Sequence, residues 1–276
     1  MFFGPRGPVV AVIRLHGVIG RLGPLRSGLT LAGLAAVIER AFKMKHLKAV
    51  AISVNSPGGS PVQSSLIFKR LRALAEEKGV PILAFAEDAA ASGGYWLACA
   101  GDEIFADENS IVGSIGVISG GFGFPELIRR IGVERRMHTA GENKGMLDPF
   151  QPEKPQDVER LKSLQSDIHA SFMDLVRSRR GKRLKGEEGE LFSGAFWTGR
   201  RALELGLVDG IGDMRSVIRD RFGEKARLRL VQVRRGFLSR RLGFRAGGDG
   251  FAAPAGWASD LLAAVEERFL WNRLGL

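Results

Sequence analysis

Apolar residues along the chain occur in two kinds of run, short runs of strand formers and longer stretches with helical spacing. Short runs cover residues 8–15, 49–54 and 81–86, and each is followed by a glycine-bearing turn and then by a helical pattern. This repeated order of strand, turn and helix predicts an α/β fold with a mainly parallel sheet. The carboxyl ends of parallel strands meet at one edge of such a sheet, and we expect the functional residues there.

Capping residues mark the ends of the first two helices. Thr30 is an N-cap before the apolar positions Leu31, Leu34, Val37, Ile38 and Ala41. Ser60 before Pro61 predicts a second helix start, because serine caps well and proline suits the first helical position. Gly79 ends this helix after about Lys78. Its expected inner side carries Leu66, Ile67, Leu71 and Leu74.

The remaining pattern predicts an alternation of short strands and helices. Strands are expected at 103–106, 111–118, 133–138 and 228–233, helices at 124–131, 155–180 and 214–222, a long surface loop at 140–154, and a turn with a short helix over 192–211. The inner side of the helix at 155–180 is expected to carry Leu161, Leu164, Ile168, Phe172 and Val176.

A composition shift near residue 235 divides the chain. We expect one domain over 1–235, a basic, glycine-rich linker over 236–256 and an amphipathic C-terminal helix over 257–276. The apolar face of that last helix is expected to contain Trp257, Leu261, Leu262, Val265 and Phe269. It suits docking on a neighbouring subunit or adsorption to a membrane surface.

Charge narrows the choice of partners. Lys and Arg number 41 against 30 Asp and Glu, a formal net charge of +11. This balance predicts attraction to anionic surfaces, including peripheral contact with a membrane. The basic clusters at 177–185 and 234–245 match no nucleic-acid-binding motif, so no nucleic-acid partner is expected. With no transmembrane segment or signal peptide visible, a cytoplasmic or peripherally membrane-associated location is favoured.

Cysteine and histidine usage bears on metal and disulfide chemistry. The single cysteine, Cys99, excludes an internal disulfide and lies in an apolar run that predicts a buried, inert thiol. The four histidines show no ligand spacing, so no metal site is expected. His138 is the nearest histidine that could serve a catalytic serine as a base.

The stretch 88–98 carries the strongest candidate chemistry. After the strand at 81–86, the small residues 89–91 predict a tight corner that delivers Ser92 to the start of a helix. Free N–H groups and the helix dipole favour a developing negative charge at that position. Ser92 is therefore a candidate nucleophile, with the Gly93 N–H available to an oxyanion. The alternative is an ordinary serine N-cap.

Four blocks occur in a fixed order along the chain. They are Asn55-Ser56-Pro57-Gly58-Gly59, Ala91-Ser92-Gly93-Gly94-Tyr95, Val112-Gly113-Ser114-Ile115-Gly116-Val117 and the loop around Lys144. Together they resemble the signal peptide peptidase A (protease IV) family, in its short form with one such domain. The resemblance covers residues 9–213 and implies a crotonase-like, Clp-protease-like α/β fold.

The resemblance also implies roles for five residues and requires no cofactor. Ser92 would be the nucleophile, Lys144 the general base, Ser114 the residue that holds the lysine amine, and Gly93 and Gly59 the oxyanion-hole donors. A lysine in water stays protonated at neutral pH and becomes a base only where burial disfavours its charge. We therefore expect Lys144 to leave solvent through a neighbouring subunit or a bound substrate.

The implied function is a serine endopeptidase that cleaves extended, apolar peptides, such as signal-peptide remnants, through an acyl-enzyme. A homo-oligomer is expected, with the substrate added as a strand beside the sheet. Two alternatives remain open at this stage. One is a crotonase-type acyl-CoA enzyme, and the other is a scaffold of the same fold that binds peptides without cutting them.

Overall fold

An eight-stranded sheet forms the centre of the computed structural model, which describes residues 7–21, 28–232, 264–265 and 267–276. The strands are β1 (Val9–His16), β2 (Leu47–Ser56), β3 (Ile82–Ala91), β4 (Glu103–Ala106), β5 (Ile111–Gly113), β6 (Phe196–Thr198), β7 (Gly210–Ile211) and β8 (Arg227–Leu230). The main path runs β6-β5-β3-β2-β1-β8, and β4 joins β3 to β7. Every pair is parallel except β5 with β6. The expected α/β architecture with a mainly parallel sheet is confirmed.

Eight α-helices between residues 31 and 222 connect and cover these strands. They are α1 (Leu31–Phe42), α2 (Pro61–Lys78), α3 (Gly93–Ala98), α4 (Pro125–Arg130), α5 (Pro155–Arg180), α6 (Glu188–Leu191), α7 (Gly199–Glu204) and α8 (Met214–Phe222). The Thr30 hydroxyl accepts from Gly33 N, and the Ser60 hydroxyl accepts from Gln63 N. Gly79 ends α2 at φ 61°. The capping predictions for α1 and α2 are confirmed.

Side chains alternate across the strands and build a core on each face of the sheet. On one face, Ile13 of β1 and Ile52 of β2 belong to the larger core, to which α1, α2, α3 and α5 contribute. On the other face, Val10 and Val12 pack with Ile218 of α8. Further along this second face, Trp271 and Leu274 near the C-terminus pack with Ala89 and Ala91 of β3.

Two strand predictions were wrong in extent. The strand at 81–86 continues as β3 through the acidic pair Glu87-Asp88 to Ala91, because β5 extends the ladder beside Ala89–Ala91. The predicted corner at 89–91 is therefore strand, and the turn falls on Ser92 alone. In contrast, β5 stops at Gly113 rather than 118.

The predicted strand at 133–138 is absent, because these exposed residues lie on an arm that pairs with no sheet neighbour. Leu66, Leu164 and Ile168, expected to face inward, are 39%, 51% and 36% exposed. The prediction was wrong for these three positions, which the neighbouring elements leave exposed, whereas Ile67, Leu71, Phe172 and Val176 of the same two patterns are buried.

The predicted linker at 236–256 lies outside the described residues, as does most of the predicted terminal helix. Residues 267–272 are helical. Val265 and Phe269, expected on the packed face, are exposed, while Trp271 and Leu274 make the contact with the sheet. No helix among the described residues combines the length and the apolar character needed to cross a membrane.

Candidate active site

Ser92 forms the whole of the corner between β3 and α3. Its backbone has φ 52° and ψ −121°, a conformation that costs a non-glycine residue about 1–3 kcal/mol and that clusters at functional sites. Two hydrogen bonds fix it, from Ser92 N to Gly113 O (2.8 Å) and from Trp96 N to Ser92 O (3.0 Å). The hydroxyl makes no capping hydrogen bond. Ser92 is therefore not an ordinary N-cap.

The Pro-Gly-Gly turn after β2 lies directly against this corner. A Cβ atom built on Gly58 would stand 2.8 Å from Ser92 Cβ, 3.1 Å from Ser92 Oγ and 3.0 Å from Gly93 N. Gly58 itself has φ 109°. The two glycine-bearing turns thus meet at the carboxyl edge of the sheet, as the sequence predicted. Any side chain at Gly58 would displace the serine.

Two backbone N–H groups near the Ser92 hydroxyl have no intrachain acceptor within the described residues. The residues on either side of Gly59 make hydrogen bonds to Ile19: Ile19 N donates to Gly58 O, and Ser60 N donates to Ile19 O, both at 2.8 Å. The Gly59 N–H takes no part in these bonds. Gly93 is the first residue of α3, where helical N–H groups lack partners. These two amides meet the chemical requirement for an oxyanion hole, donors that are already in place.

Apolar side chains wall a small cavity beside Ser92. Its volume is about 20 Å³, room for roughly one water molecule. Trp96 and Phe172 form one wall as stacked rings with centroids 4.8 Å apart. The full lining is Gly59, Pro61, Ser92, Gly93, Trp96, Gly116, Val117, Ile168 and Phe172. In this conformation the cavity is too small to hold a peptide side chain. Its walls are apolar and would suit an apolar side chain if the cavity widened.

Ser114 follows β5 and also has a positive φ, 53°. Its N–H donates to Ala195 O (2.7 Å), and its own carbonyl accepts from Gly116 N (3.0 Å). The residue is 7% exposed, and its hydroxyl has no hydrogen-bond partner in the described part of the chain. A buried serine with a strained backbone and a free hydroxyl is suited to form a hydrogen bond with a group that arrives from another part of the protein.

Lys144 lies on an exposed arm formed by residues 118–154. The arm folds mainly on itself, through Phe124 against Phe150 (6.0 Å between ring centroids) and Arg135 against Asp148 (2.9 Å). Helix α4 within it has no buried residue. Lys144 is exposed, does not line the cavity at Ser92 and forms no ion pair with another described residue. This chain alone therefore does not bring Lys144 to Ser92.

Helix α3 holds the corner rigid, since all six of its residues are buried. The Tyr95 hydroxyl donates to Leu207 O (2.8 Å), and burial raises its pKa well above the ordinary value. Burial likewise raises the pKa of Cys99 to about 12, which agrees with the expected inert thiol. Arg180, 2% exposed, donates to Asp209 and to Gly206 O beneath this helix.

Sequence reasoning missed three residues of this site. Gly58 was read only as part of a turn, although the Pro-Gly-Gly pattern already indicated a close backbone approach. Trp96 and Phe172 were assigned to helix interiors, and only the fold shows that they wall the cavity. His138 lies on the exposed arm, away from the cavity lining. Within the described ranges, no group of three or more His, Cys, Asp or Glu side chains could hold a metal ion.

A sequence model described as Peptidase family S49 matches residues 74–227 of this chain. A protein of Brucella abortus called Na(+)/H(+) antiporter NhaA is 55% identical over 97% of the chain, which spans 37% of that protein. The chloroplastic serine protease SPPA of Arabidopsis thaliana is 32% identical over 76% of the chain and 31% of its own length. The chain thus spans about a third of these curated relatives.

A protein of Enterococcus faecium named putative signal peptide peptidase SppA is 33% identical to this chain. The match covers 61% of this chain and 48% of the length of that protein. Among solved structures, a mutant form of the membrane-bound stomatin-specific protease 1510-N superposes with a TM-score of 0.50. That match covers 83% of this chain and 99% of the other, at 14% identity. This similarity supports the expected fold and, at this low identity, shows nothing about function.

Proposed function

The chain belongs to peptidase family S49, as the resemblance to signal peptide peptidase A implied, and from this premise we propose that it is a serine peptidase with Ser92 as the nucleophile. The observation that carries the proposal is the Ser92 corner. A strained serine whose hydroxyl makes no capping hydrogen bond lines the same cavity as Gly59 and Gly93, whose amides have no acceptor among the described residues. A structural serine gains nothing from this arrangement, whereas an attacking one needs it.

In the proposed reaction the Ser92 oxygen attacks the scissile carbonyl while its proton passes to the Lys144 amine. The carbonyl oxygen becomes an oxyanion that accepts hydrogen bonds from the Gly59 and Gly93 amides. Lys144 then gives the proton to the leaving amine, and the acyl group stays on Ser92. A water molecule, deprotonated by Lys144, hydrolyses this ester.

The position of Lys144 requires an assembly step. The arm that carries it shows several exposed apolar side chains, among them Ile118, Phe122 and Ile131, which are 66%, 72% and 64% exposed. Exposed apolar patches of this kind mark interaction surfaces. We therefore propose that the arm docks on a neighbouring subunit, or closes over bound substrate, and inserts Lys144 beside Ser92 and Ser114. Docking would also remove the amine from water, which a lysine base requires.

The proposed substrates are extended, apolar peptides, including signal-peptide remnants. The apolar walls of the Ser92 cavity support this class, because Trp96, Ile168 and Phe172 offer no charged group to a substrate side chain. The cavity of about 20 Å³ must widen on binding, and the stack of Trp96 on Phe172 is the wall that would move.

Turnover of an apolar fluorogenic peptide by the wild type, Ser92→Ala and Lys144→Ala tests this function. We expect turnover by the wild type and a loss of about 10²–10⁴-fold in either variant. An acyl-CoA thioester, assayed in parallel, separates the crotonase-type alternative. Peptide binding without turnover by all three proteins would identify a non-catalytic scaffold and contradict the proposal.

A further inference from the structure

A second cavity lies between α8 and the edge strand β8 and shares no lining residue with the cavity beside Ser92. Its volume is about 250 Å³, more than ten times that of the cavity beside Ser92. Arg215, Arg219 and Glu224 form its polar rim, and Ile218, Ala226 and Leu228 line the rest. The cavity therefore combines cationic groups with an apolar floor.

The two arginines are placed to act together. They are four residues apart on α8, so they lie on the same face of the helix. The Arg219 guanidinium forms an ion pair with Glu224, whereas the Arg215 side chain has no partner within the described residues. One arginine of the rim is thus available to an anion, and the other is held by a single exposed carboxylate.

Two of the three apolar lining residues, Ala226 and Leu228, keep accessible surface that suits a hydrocarbon. Ile218 is 1% exposed and belongs to the core on this face of the sheet, and Leu228 packs against that core. Leu230, two residues further along β8, lies on the same face as Leu228 and is 39% exposed. An apolar path therefore leads from the cavity out to the surface.

Positive charge exceeds negative charge in the segment that carries the cavity. Residues 213–232 contain six Lys and Arg against three Asp and Glu, a surplus of three, and Arg221 is paired with Glu103. The sequence then continues with Arg234, Arg235, Arg240 and Arg241. A ligand that matches both the charge and the floor is an anionic amphiphile.

We propose that this cavity binds the phosphate of an anionic phospholipid at a membrane surface. Arg215 and Arg219 would hold the phosphate, and the first methylene groups of the lipid would cover Leu228 and Leu230. The proposal is independent of the peptidase function, since no residue of the cavity contributes to the Ser92 site.

Sedimentation of the full chain with lipid vesicles tests it. We expect binding to vesicles of phosphatidylcholine mixed with phosphatidylglycerol and none to phosphatidylcholine alone. Loss of each arginine should weaken binding about fivefold, so Arg215→Gln with Arg219→Gln should weaken it about 25-fold. Glu224→Gln, which releases Arg219, should strengthen binding about fivefold.

The matched control is Arg200→Gln with Arg201→Gln, which removes the same charge from α7 on another surface. Every variant should unfold in urea close to the midpoint of the wild type, which excludes misfolding. Equal losses in the two double variants would overturn the proposal in favour of a general charge effect. Release from vesicles by inorganic phosphate or by RNA, with Leu230→Ser behaving as wild type, would also overturn it and identify a soluble polyanion or phosphate as the ligand.

Discussion

Replacing Gly58 by alanine should abolish most of the proposed peptidase activity while leaving the protein folded. The added Cβ would stand 2.8 Å from Ser92 Cβ, whereas ordinary contact begins at 3.4 Å, so the two groups must separate by at least 0.6 Å. The same methyl would press on Ser92 Oγ and on the Gly93 N–H. A displacement approaching 1 Å at a reacting atom can cost about 10²-fold in rate. This loss corresponds to about 2.7 kcal/mol of transition-state stabilisation.

Gly17→Ala is the matched control for backbone strain. Gly17 has φ 98°, close to the 109° of Gly58, but a Cβ there would meet nothing within 4 Å. Both substitutions should lower the free energy of unfolding by about 1–3 kcal/mol, because alanine disfavours a positive φ. Only Gly58→Ala should lose activity beyond what this change in stability explains.

The assay combines urea denaturation of both variants with turnover of an apolar fluorogenic peptide. We expect kcat/KM of Gly58→Ala to fall about 10²-fold or more, with Gly17→Ala within a few fold of the wild type. If the two variants have the same activity, the contact between the Pro-Gly-Gly turn and the nucleophile has no catalytic importance, and the reasoning fails.

Three further predictions concern the buried Arg180, the buried Cys99 and the arm that carries Lys144. Arg180→Leu should cost about 3–5 kcal/mol in urea unfolding, because it removes a buried guanidinium and leaves the partly buried Asp209 carboxylate with Arg183, at 3.4 Å, as its remaining ion-pair partner; Arg177→Leu, at ion pairs on the surface, should lower the free energy of unfolding much less, and equal costs would contradict this. The Cys99 thiol, with its pKa near 12, should resist iodoacetamide at pH 8 in the folded protein and react once it is unfolded in urea; rapid alkylation of the native protein would refute its burial. If subunits share the dyad, mixing inactive Ser92→Ala and Lys144→Ala proteins should restore about a quarter of the activity, since one site in four would combine two intact residues; a silent mixture would show that both residues act within one chain.

Local signals in the sequence were sufficient for most of the fold. Ser60 with Pro61, and Gly79 at the far end, define α2 because capping depends only on neighbouring residues. The long helix α5 was also predicted at its observed bounds, 155–180. Both elements have strong periodicity and clear end signals.

Tertiary context decided the elements that sequence reasoning placed wrongly. β3 runs past the acidic pair Glu87-Asp88 because β5 provides a partner for its last residues, and no local pattern reveals that partner. Conversely, the segment 133–138 had no strand to pair with and remains exposed. Strand extent depends on neighbours that are remote in sequence.

Part of the candidate site could likewise be predicted from the sequence, and part could not. The turns that carry Gly59 and Gly93 could be predicted to meet, because both follow adjacent parallel strands. The location of Lys144 could not, because its arm contacts little of the core; in our proposal its final place depends on a partner or a substrate. The strained backbone of Ser92 and Ser114 appears only in the structure.

Covalent labelling with a fluorophosphonate probe, followed by peptide mapping, tests the central claim most directly. Our account predicts a single adduct on the Ser92 oxygen, with labelling of Lys144→Ala slower by about 10²-fold or more. An adduct on another residue, or a Lys144→Ala protein that is labelled as fast as the wild type, would contradict it.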